Sequence, residues 1–243
     1  MAKYFIGVLL VLFFSSCKKE MDDFSSAPLS DYFPLETGKY ITYNLDSTVF
    51  IKFGQADTVI HYQVQDRVDA EITDNLGRPA FRILRLIRQD ASQEWVPNNT
   101  FMVVPTDNSI ELIENNLRFI KLKIPIKQDF SWKGNSFINT SSSLNDVRYL
   151  DGWDYIYDSI GQPLTINNTT YPNTITVSEV DYQDNDPASQ PSAYAEKTYS
   201  VEKYAKGVGL IYREFLHWEY QPPESPTYGY TGYGIKMTIV NHN

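Results

Sequence analysis

The sequence predicts a mainly β protein, with a single antiparallel and strongly curved sheet in a half-barrel or sandwich and few or no helices. Apolar and polar residues alternate, as at Ile41, Tyr43 and Leu45, which is the period of a half-buried strand. The candidate strands are rich in β-branched and aromatic residues, which favour a pleated surface. No long helical period is present, so β structure is expected to dominate the domain.

The composition suits one large domain with a real hydrophobic core. Of 243 residues, 42% are hydrophobic and 21% are charged, which is typical of a globular chain rather than a disordered one. The net charge is −9, and basic residues cluster only at Lys18-Lys19 and Lys121-Leu122-Lys123. Because phosphate binding needs a basic surface, we expect no nucleic-acid partner.

Residues 1–16 have the features of a signal peptide. A positive start with Lys3 precedes an apolar run from Tyr4 to Phe14, which is too short to cross about 30 Å of hydrocarbon. Phe14-Ser15-Ser16-Cys17 resembles the lipobox of bacterial lipoproteins. The resemblance implies that Cys17, the single cysteine of the chain, is lipidated and becomes the first mature residue.

The lipobox interpretation predicts a location as well as a modification. Two or more acyl chains on Cys17 would hold the protein stably at a membrane, at about 0.8 kcal/mol per buried CH₂. We therefore expect a lipid-anchored protein of the cell envelope, at the outer membrane, on either its surface or its periplasmic side. The alternative is an ordinary signal peptide with an incidental cysteine.

Residues 17–32 are predicted to be the lipidated cysteine and a flexible tether, since they are charged and then rich in Ser and Pro. Glu20, Asp22 and Asp23 after Lys18-Lys19 resemble the export signal of surface lipoproteins of the Bacteroidota. The alternative for these residues is a merely solvated linker. The β domain is then expected to span 33–243.

The first strands are predicted at 40–45, 49–53 and 58–64, and the run continues to Ile72. A tight turn at 74–79, in which Gly77 is free to adopt positive φ, joins them to a strand at 81–87. In that strand Phe81, Ile83, Arg85 and Ile87 are expected on one face. Both faces carry apolar residues, so the strand is expected to be partly covered on each side.

The remaining chain is predicted to form an antiparallel meander with short turns. Gly161-Gln162-Pro163 and Asn115-Asn116 are the expected turns. The segment 141–152 fits either a short helix or an irregular crossover, and 184–193 and 221–227 are expected loops. The further candidate strands are 100–104, 110–113, 117–124, 153–160, 164–170, 174–182, 197–204, 210–220 and 234–240.

Three landmarks resemble a broad group of secreted bacterial β proteins, many of them uncharacterised lipoproteins. They are Phe33-Pro34-Leu35 with Gly38, Ile124-Pro125-Ile126 with Phe130-Ser131-Trp132, and the segment from Tyr204 to Ile211. The resemblance covers most of the mature chain and implies a strongly curved antiparallel sheet. None of the landmarks contains a nucleophile, an acid/base pair or a metal-ligand set, so the resemblance implies no activity.

The motifs of common enzymes are missing from the sequence, and we predict no catalytic residue, metal ligand or cofactor. Gly207-Val208-Gly209 precedes a strand and not the helix that a nucleotide loop requires. The three histidines are far apart, and the cluster at Asp181 lacks the spacing of a calcium loop. Paired carboxylates of a glycosidase could be drawn from Glu111 and Glu114, Asp151 and Asp154, or Glu214 and Glu219.

Aromatic residues crowd the C-terminal region and suggest a binding surface. Tyr and Trp offer flat rings with a polar tip, which suit a glycan, a peptide or another envelope protein. The alternative is ordinary β packing. The candidate residues are Trp218, Tyr220, Tyr228, Tyr230 and Tyr233.

Three short motifs match the Asp-Ser/Thr-apolar pattern that resembles the O-glycosylation acceptor of Bacteroidota envelope proteins. The acceptors would be Ser47, Thr58 and Ser159. Asp46 and Asp158 are expected near strand ends, where a turn exposes the hydroxyl to solvent. The alternative is a local turn in which the Asp side chain bonds to the backbone.

The most favoured function is a non-catalytic binding or structural role in the envelope, with a membrane as partner through the lipid. Two alternatives stay open, a glycan-active hydrolase and a carrier of an apolar ligand. A deep apolar cavity would favour the carrier, an open cleft with two facing carboxylates the enzyme, and a flat aromatic patch a binding module.

Overall fold

A computed structural model describes residues 26–141, 146–225 and 228–243 of the chain. They form one antiparallel sheet of twelve strands that is nearly closed into a barrel, which confirms the predicted fold class. Two short 3₁₀ turns, Leu29–Asp31 and Arg148–Leu150, are the helical elements of the described residues. None of the described helices has the length and apolar character that crossing a bilayer requires.

The first six strands form one half of the sheet. They are β1 (Tyr40–Ile51), β2 (Ala56–Thr73), β3 (Pro79–Arg88), β4 (Val96–Pro105), β5 (Ser109–Glu114) and β6 (Leu117–Lys123). The other half is β7 (Ser131–Trp132), β8 (Tyr155–Ile166), β9 (Thr169–Asp184), β10 (Ala195–Ala205), β11 (Gly209–Gln221) and β12 (Gly229–His242). The spatial order is β6-β5-β4-β3-β2-β1-β12-β11-β10-β9-β8-β7, a meander whose two halves join where β1 pairs with β12.

Tight turns connect the strands where the sequence predicts them in two of three cases. Asn115 and Asn116 both have positive φ and join β5 to β6. Asp74 accepts hydrogen bonds from the backbone N–H groups of Leu76 and Arg78 and so builds the β2–β3 turn. The predicted turn at 161–163 is wrong, because β8 continues through it to Ile166.

The β8–β9 reversal lies farther along the chain, at Asn167-Asn168, where both residues have positive φ. Asn tolerates this region better than most residues, and two such residues in succession make a hairpin turn of the primed type. Gly161 and Pro163 instead fall within register shifts of the β8–β9 ladder. A β-bulge accommodates both residues without ending the strand.

The main hydrophobic core lies on the concave face of the sheet. Residues from both halves meet there, among them Val68, Phe101, Leu122, Tyr157 and Phe215. The N-terminal segment covers one end of this core: Leu29 and Tyr32, which the sequence analysis places in the tether, are buried. The predicted signal peptide and the first part of the predicted tether, residues 1–25, lie outside the described part of the chain. The same holds for residues 142–145 of the segment predicted as a short helix or crossover.

The two outer strands of the sheet approach each other and form a seam. Trp132 in β7 donates its indole N–H to the carbonyl of Ile120 at 2.8 Å, and Ile120 donates its backbone N–H to Gly134 at 2.8 Å. The Tyr157 hydroxyl donates to the carbonyl of Lys123 at 2.7 Å and accepts from the Lys123 N–H at 3.0 Å. Side chains of β7 and β8, together with the loop residue Gly134, thus bridge the gap between β6 and the opposite edge of the sheet.

Candidate functional site

Charged side chains from both halves of the sheet meet inside the curve. Lys121 of β6 contacts Glu179 of β9 at 2.5 Å and Glu202 of β10 at 2.7 Å. All three side chains are at most 5% exposed. We call this set, with Arg213, Glu114, Arg85 and Asp66 around it, the interior cluster.

Two β-bulges explain why the side chains of Lys121 and Glu179 point inward. Lys121 is the extra residue where the β5–β6 register shifts, and Glu179 is the extra residue where the β9–β10 register shifts. A bulge re-aims the side chain that it inserts and increases the local twist of the strand. The same local irregularity that bends the sheet therefore supplies its interior with a cation and an anion.

The two buried glutamates have different proton affinities. Burial and the neighbouring Glu202 raise the pKa of Glu179, although Lys121 and the Ser200 hydroxyl oppose the shift. Burial would also raise the pKa of Glu202, but Lys121 and Arg213 together outweigh it and lower that pKa. When the two glutamates hold one proton between them, that proton therefore resides on Glu179 rather than on Glu202.

Hydroxyl groups complete the hydrogen bonding of both glutamates. Ser200 donates to Glu179 at 2.6 Å, and Tyr204 donates to Glu202 at 2.5 Å. Burial and the charge of Glu202 hold the pKa of Tyr204 well above its ordinary value, so the phenol remains a donor. Buried ions need partners of this kind to offset the loss of water.

A second ion pair lies where β2 and β3 are directly paired. Arg85 donates to both carboxylate oxygens of Asp66 at 2.6 Å, a bidentate geometry. Its guanidinium also lies over the ring of Phe101, 4.6 Å from the centroid. Arg85 is predicted from the strand period to share a face with Ile83 and Ile87, and in the structure it lies inside the sheet.

Arg213 and Glu114 differ from the rest of the interior cluster. Nη1 of Arg213 is 3.8 Å from the carboxylate of Glu114, and Nε is 3.5 Å from that of Glu202. Nε of Arg213 is also the one buried side-chain polar atom, within the described residues, that has no hydrogen-bond partner. The charges of Glu202 and Glu114 outweigh burial and raise the pKa of Arg213, so its guanidinium is charged.

The interior cluster forms the floor of a cavity of about 100 Å³ inside the sheet. Arg213, Glu114, Lys121 and Glu202 line it together with the pair Arg85–Asp66. The walls are apolar and come from β3–β5 and the N-terminal segment, including Phe33, Leu35, Ile83, Phe101, Val103 and Leu112. A concave, mainly apolar space with a few convergent polar groups is the usual form of a ligand site.

A larger open groove of about 710 Å³ lies next to the cavity. Its lining is mainly apolar and includes Leu29, Phe81, Ile110 and Pro125. Phe33 and Leu35 line both spaces and therefore form the partition between them. The N-terminal segment is held there by a salt bridge from Asp31 to Lys206 at 3.0 Å.

The predicted aromatic surface is divided between the two faces of the sheet. Tyr230 contacts the rings of Tyr220, Trp218 and Phe50, with centroids 4.9, 5.2 and 5.5 Å away. Tyr228 lies against Tyr220 and is 40% exposed. We call these five residues the outer aromatic cluster, because the interior face of β11 is occupied by Arg213, Phe215 and His217.

Tyr233 does not belong to that cluster, which corrects the grouping expected from the sequence. It is paired in register with His217 and packs on Phe215 at 5.0 Å, so it lies on the concave side. An odd separation along one strand places Tyr230 and Tyr233 on opposite faces. A binding role for any of these rings stays a prediction.

The predicted modification sites fall on different parts of the fold. Cys17 lies outside the described residues. Ser47 and Ser159 lie within β1 and β8, so the expectation that Asp46 and Asp158 stand near strand ends is wrong. Thr58 is exposed in β2 and lies near the β1–β2 turn. Glycosylation of the three hydroxyls stays a prediction.

The carboxylate pairs considered for a glycosidase are not arranged as facing pairs. Glu111 binds Arg118 and Arg78, whereas Glu114 lies in the interior cluster. Asp154 binds the exposed Lys133, and Asp151 accepts from Thr140. Glu214 and Glu219 are five residues apart in β11 and therefore lie on opposite faces.

The histidines have individual contacts instead of a shared site. His61 lies 2.7 Å from Asp46 on the surface. His217 is buried, contacts Thr198 at 2.9 Å and stacks on Tyr149 at 4.0 Å, and its burial lowers its pKa. Within the described ranges no group of three His, Cys, Asp or Glu residues could hold a metal ion.

The fold and the site together define a class: a curved β-sheet protein with a partly open, partly charged cavity. Neither a protein-family model nor a curated protein matches the sequence. Among solved structures, the chain is similar to a Bacteroides fragilis protein described as exported and YmcC-like in fold. The identity is 13%, the coverage is 86% of this chain and 99% of that one, and the TM-score is 0.33.

A second solved structure is a DUF1329 family protein from Desulfovibrio piger. It is 9% identical, covers 86% of this chain and 87% of its own, and has a TM-score of 0.20. Similarities at these TM-scores carry no argument about function. The functional proposal therefore rests on the geometry of this chain.

Proposed function

We propose that the protein is a lipid-anchored component of the bacterial cell envelope that binds a small amphiphilic ligand inside its curved sheet, without converting it chemically. The observation that carries the proposal is the partly open cavity with apolar walls and a charged floor. This combines two of the functions considered from the sequence, the non-catalytic binding protein and the carrier. The membrane is the proposed partner through Cys17.

The size of the cavity limits what enters it. A cavity of about 150 Å³ is large enough for benzene, so about 100 Å³ holds a polar head group with a few carbon atoms. A longer chain would extend past Phe33 and Leu35 into the apolar groove of about 710 Å³. The two spaces together have the volume usual for small-molecule sites, about 300–1,000 Å³.

The interior glutamates speak against hydrolysis in this cavity. Glu179 and Glu202 have pKa values shifted in opposite directions, which is a pattern of acid/base pairs. However, Lys121 bridges them, each accepts a further hydroxyl hydrogen bond, and both side chains are 2% exposed. A glycosidic bond would need space between the two carboxylates, and Lys121 fills it.

Binding can be tested with the fluorescent apolar probe N-phenyl-1-naphthylamine. We expect the parent protein to bind it saturably. Leu112→Trp should abolish binding, because Leu112 lines the cavity and a larger ring would fill it. Ile113→Trp is the matched control, since the next residue of β5 points to the opposite face. Absence of probe binding to the parent, or unchanged binding by Leu112→Trp, would refute the proposal.

The envelope location has its own test. The parent chain made in a bacterial host should partition into detergent, and Cys17→Ala should move it to the aqueous phase, because the acyl chains are lost. Equal partitioning of the two forms would show that Cys17 does not anchor the protein.

A further inference from the structure

The interior cluster contains one pair of ions that the protein itself leaves without hydrogen bonds. Lys121 is engaged by two carboxylates, and Arg85 is engaged bidentately by Asp66. Nη1 of Arg213 lies 3.8 Å from the carboxylate of Glu114, and Nε lies 3.5 Å from that of Glu202. Neither contact is a hydrogen bond, and Nε has no hydrogen-bond partner among the described residues. A distance of 3.8 Å is too long for a hydrogen bond.

Both members of this pair line the cavity. Most buried polar groups in proteins are hydrogen-bonded, so an unpaired one inside a cavity needs water or a ligand. The guanidinium of Arg213 offers donors only, and the carboxylate of Glu114 offers acceptors only. A ligand that satisfies both must therefore present an acceptor and a donor side by side.

The charge of the cavity floor decides which kind of head group fits. Six of the charged groups lining the cavity belong to the interior cluster and form its floor, the cations Arg85, Lys121 and Arg213 and the anions Asp66, Glu114 and Glu202. The seventh charged lining residue, Lys39, lies outside this floor and makes a solvent-exposed hydrogen bond to the carbonyl of Gly207 at 3.0 Å. The floor is electrically balanced, so a head group with a net charge would enter a low-dielectric space without a free counter-ion. Burying such an unpaired charge is strongly unfavourable.

We propose that the head group bound in this cavity is electrically neutral and amide-like, with its carbonyl oxygen accepting from Arg213 and its N–H donating to Glu114. This inference rests on the proposed function, because it identifies the ligand class of the same cavity. The apolar part of the ligand then lies against the walls formed by Phe101, Val103 and Leu112. A carboxylate would pair with Arg213 but be repelled by Glu114. An ammonium group would pair with Glu114 but be repelled by Arg213.

Three ligands with one chain length and different heads test the inference on the parent protein at neutral pH. Octanamide, octanoate and octylamine are competed against N-phenyl-1-naphthylamine. We expect octanamide to bind at least about tenfold more tightly than either charged ligand, since each of those leaves one ion unpaired. Equal affinities, or a preference for octanoate or octylamine, would overturn the inference.

Two variants connect the preference to the named pair. Arg213→Met and Glu114→Gln should each reduce the affinity for octanamide by about tenfold while probe binding persists. Circular dichroism verifies that each variant is folded, and the ligand series on the parent protein does not depend on them. If the probe binds and Leu112→Trp abolishes its binding, but the three heads compete equally, the proposed function stands and the amide inference fails. If the probe does not bind, the proposed function fails.

Discussion

The interior cluster and the outer aromatic cluster lie on opposite faces of the sheet and meet in one strand, β11, where they reverse the usual distribution of polar and apolar groups. β11 directs Arg213 inward among buried carboxylates, whereas it directs Trp218 and Tyr220 outward to pack against Tyr230. Ions inside a sheet depend on exact partners, because each unpaired charge is costly. Rings tolerate changes better, because each contact contributes little and several contacts act together.

The largest expected effect comes from removing the cation at the centre of the interior cluster. Lys121→Met leaves Glu179 buried beside Glu202 without its own counter-ion, and the cation remaining near Glu202 is Arg213, at 3.5 Å. We expect a loss of about 3–5 kcal/mol in the free energy of unfolding, measured by urea denaturation at neutral pH. Lys133→Met is the control, because the side chains of Lys133 and Asp154 are 59% and 61% exposed. We expect its free energy of unfolding to change by no more than about 1 kcal/mol. Similar losses in both variants would show that the interior ions matter no more than surface ions.

A smaller effect is expected in the outer aromatic cluster. Tyr230→Ala removes three ring contacts at once, and we expect a loss of about 2 kcal/mol in the free energy of unfolding. Phe53→Ala is the control, because Phe53 is 96% exposed at the neighbouring β1–β2 turn and should change stability by less than about 0.5 kcal/mol. A loss in Tyr230→Ala as large as that of Lys121→Met would remove the difference between the two faces.

The smallest effect is a pH dependence that belongs to the interior alone. The pKa of Glu179 is raised above its ordinary value of 4.5, so the folded state holds this proton at pH values where the unfolded chain has lost it. The stability contribution is fully present below pH 4.5 and is lost as pH rises through the raised pKa, at up to about 1.4 kcal/mol per pH unit.

Glu179→Gln should remove this slope, because the amide does not titrate while its oxygen still accepts from Lys121. The measurement is the free energy of unfolding at several pH values above 4.5, for the variant and for the parent protein. The same slope in both would assign the pH dependence to another group and would leave Glu179 ionised in the folded state.

The sequence predicts the fold well because strand period and turn residues are local signals. Asp74 and the pair Asn115-Asn116 determine their turns through their own side chains and backbone preferences. Gly161 and Pro163 were misleading because a β-bulge accommodates residues that ordinarily end a strand. The Asn167-Asn168 turn had the same kind of signal as Asn115-Asn116, so it could have been found.

The site could not be predicted in the same way. Lys121, Glu179 and Glu202 are distant in sequence, and charged residues in a strand ordinarily indicate a face exposed to solvent. The inward direction of Lys121 and Glu179 depends on register shifts that no local pattern reveals. One signal was present: the strand containing Glu202 has apolar residues on its other face as well, at Val201 and Tyr199. A strand covered on both sides must place some of its ions in the interior.

The seam between β6 and the opposite edge of the sheet, formed by β7 and β8, limits the pairing of this protein with strands of other chains. An outer strand with free backbone groups can pair with strands of other chains, which leads to aggregation. Here the indole of Trp132, the hydroxyl of Tyr157 and the carbonyl of Gly134 occupy backbone groups that β6 would otherwise present. These contacts cap the sheet at its opening, so a sheet of twelve strands gains protection from strand addition although its backbone ladder never closes.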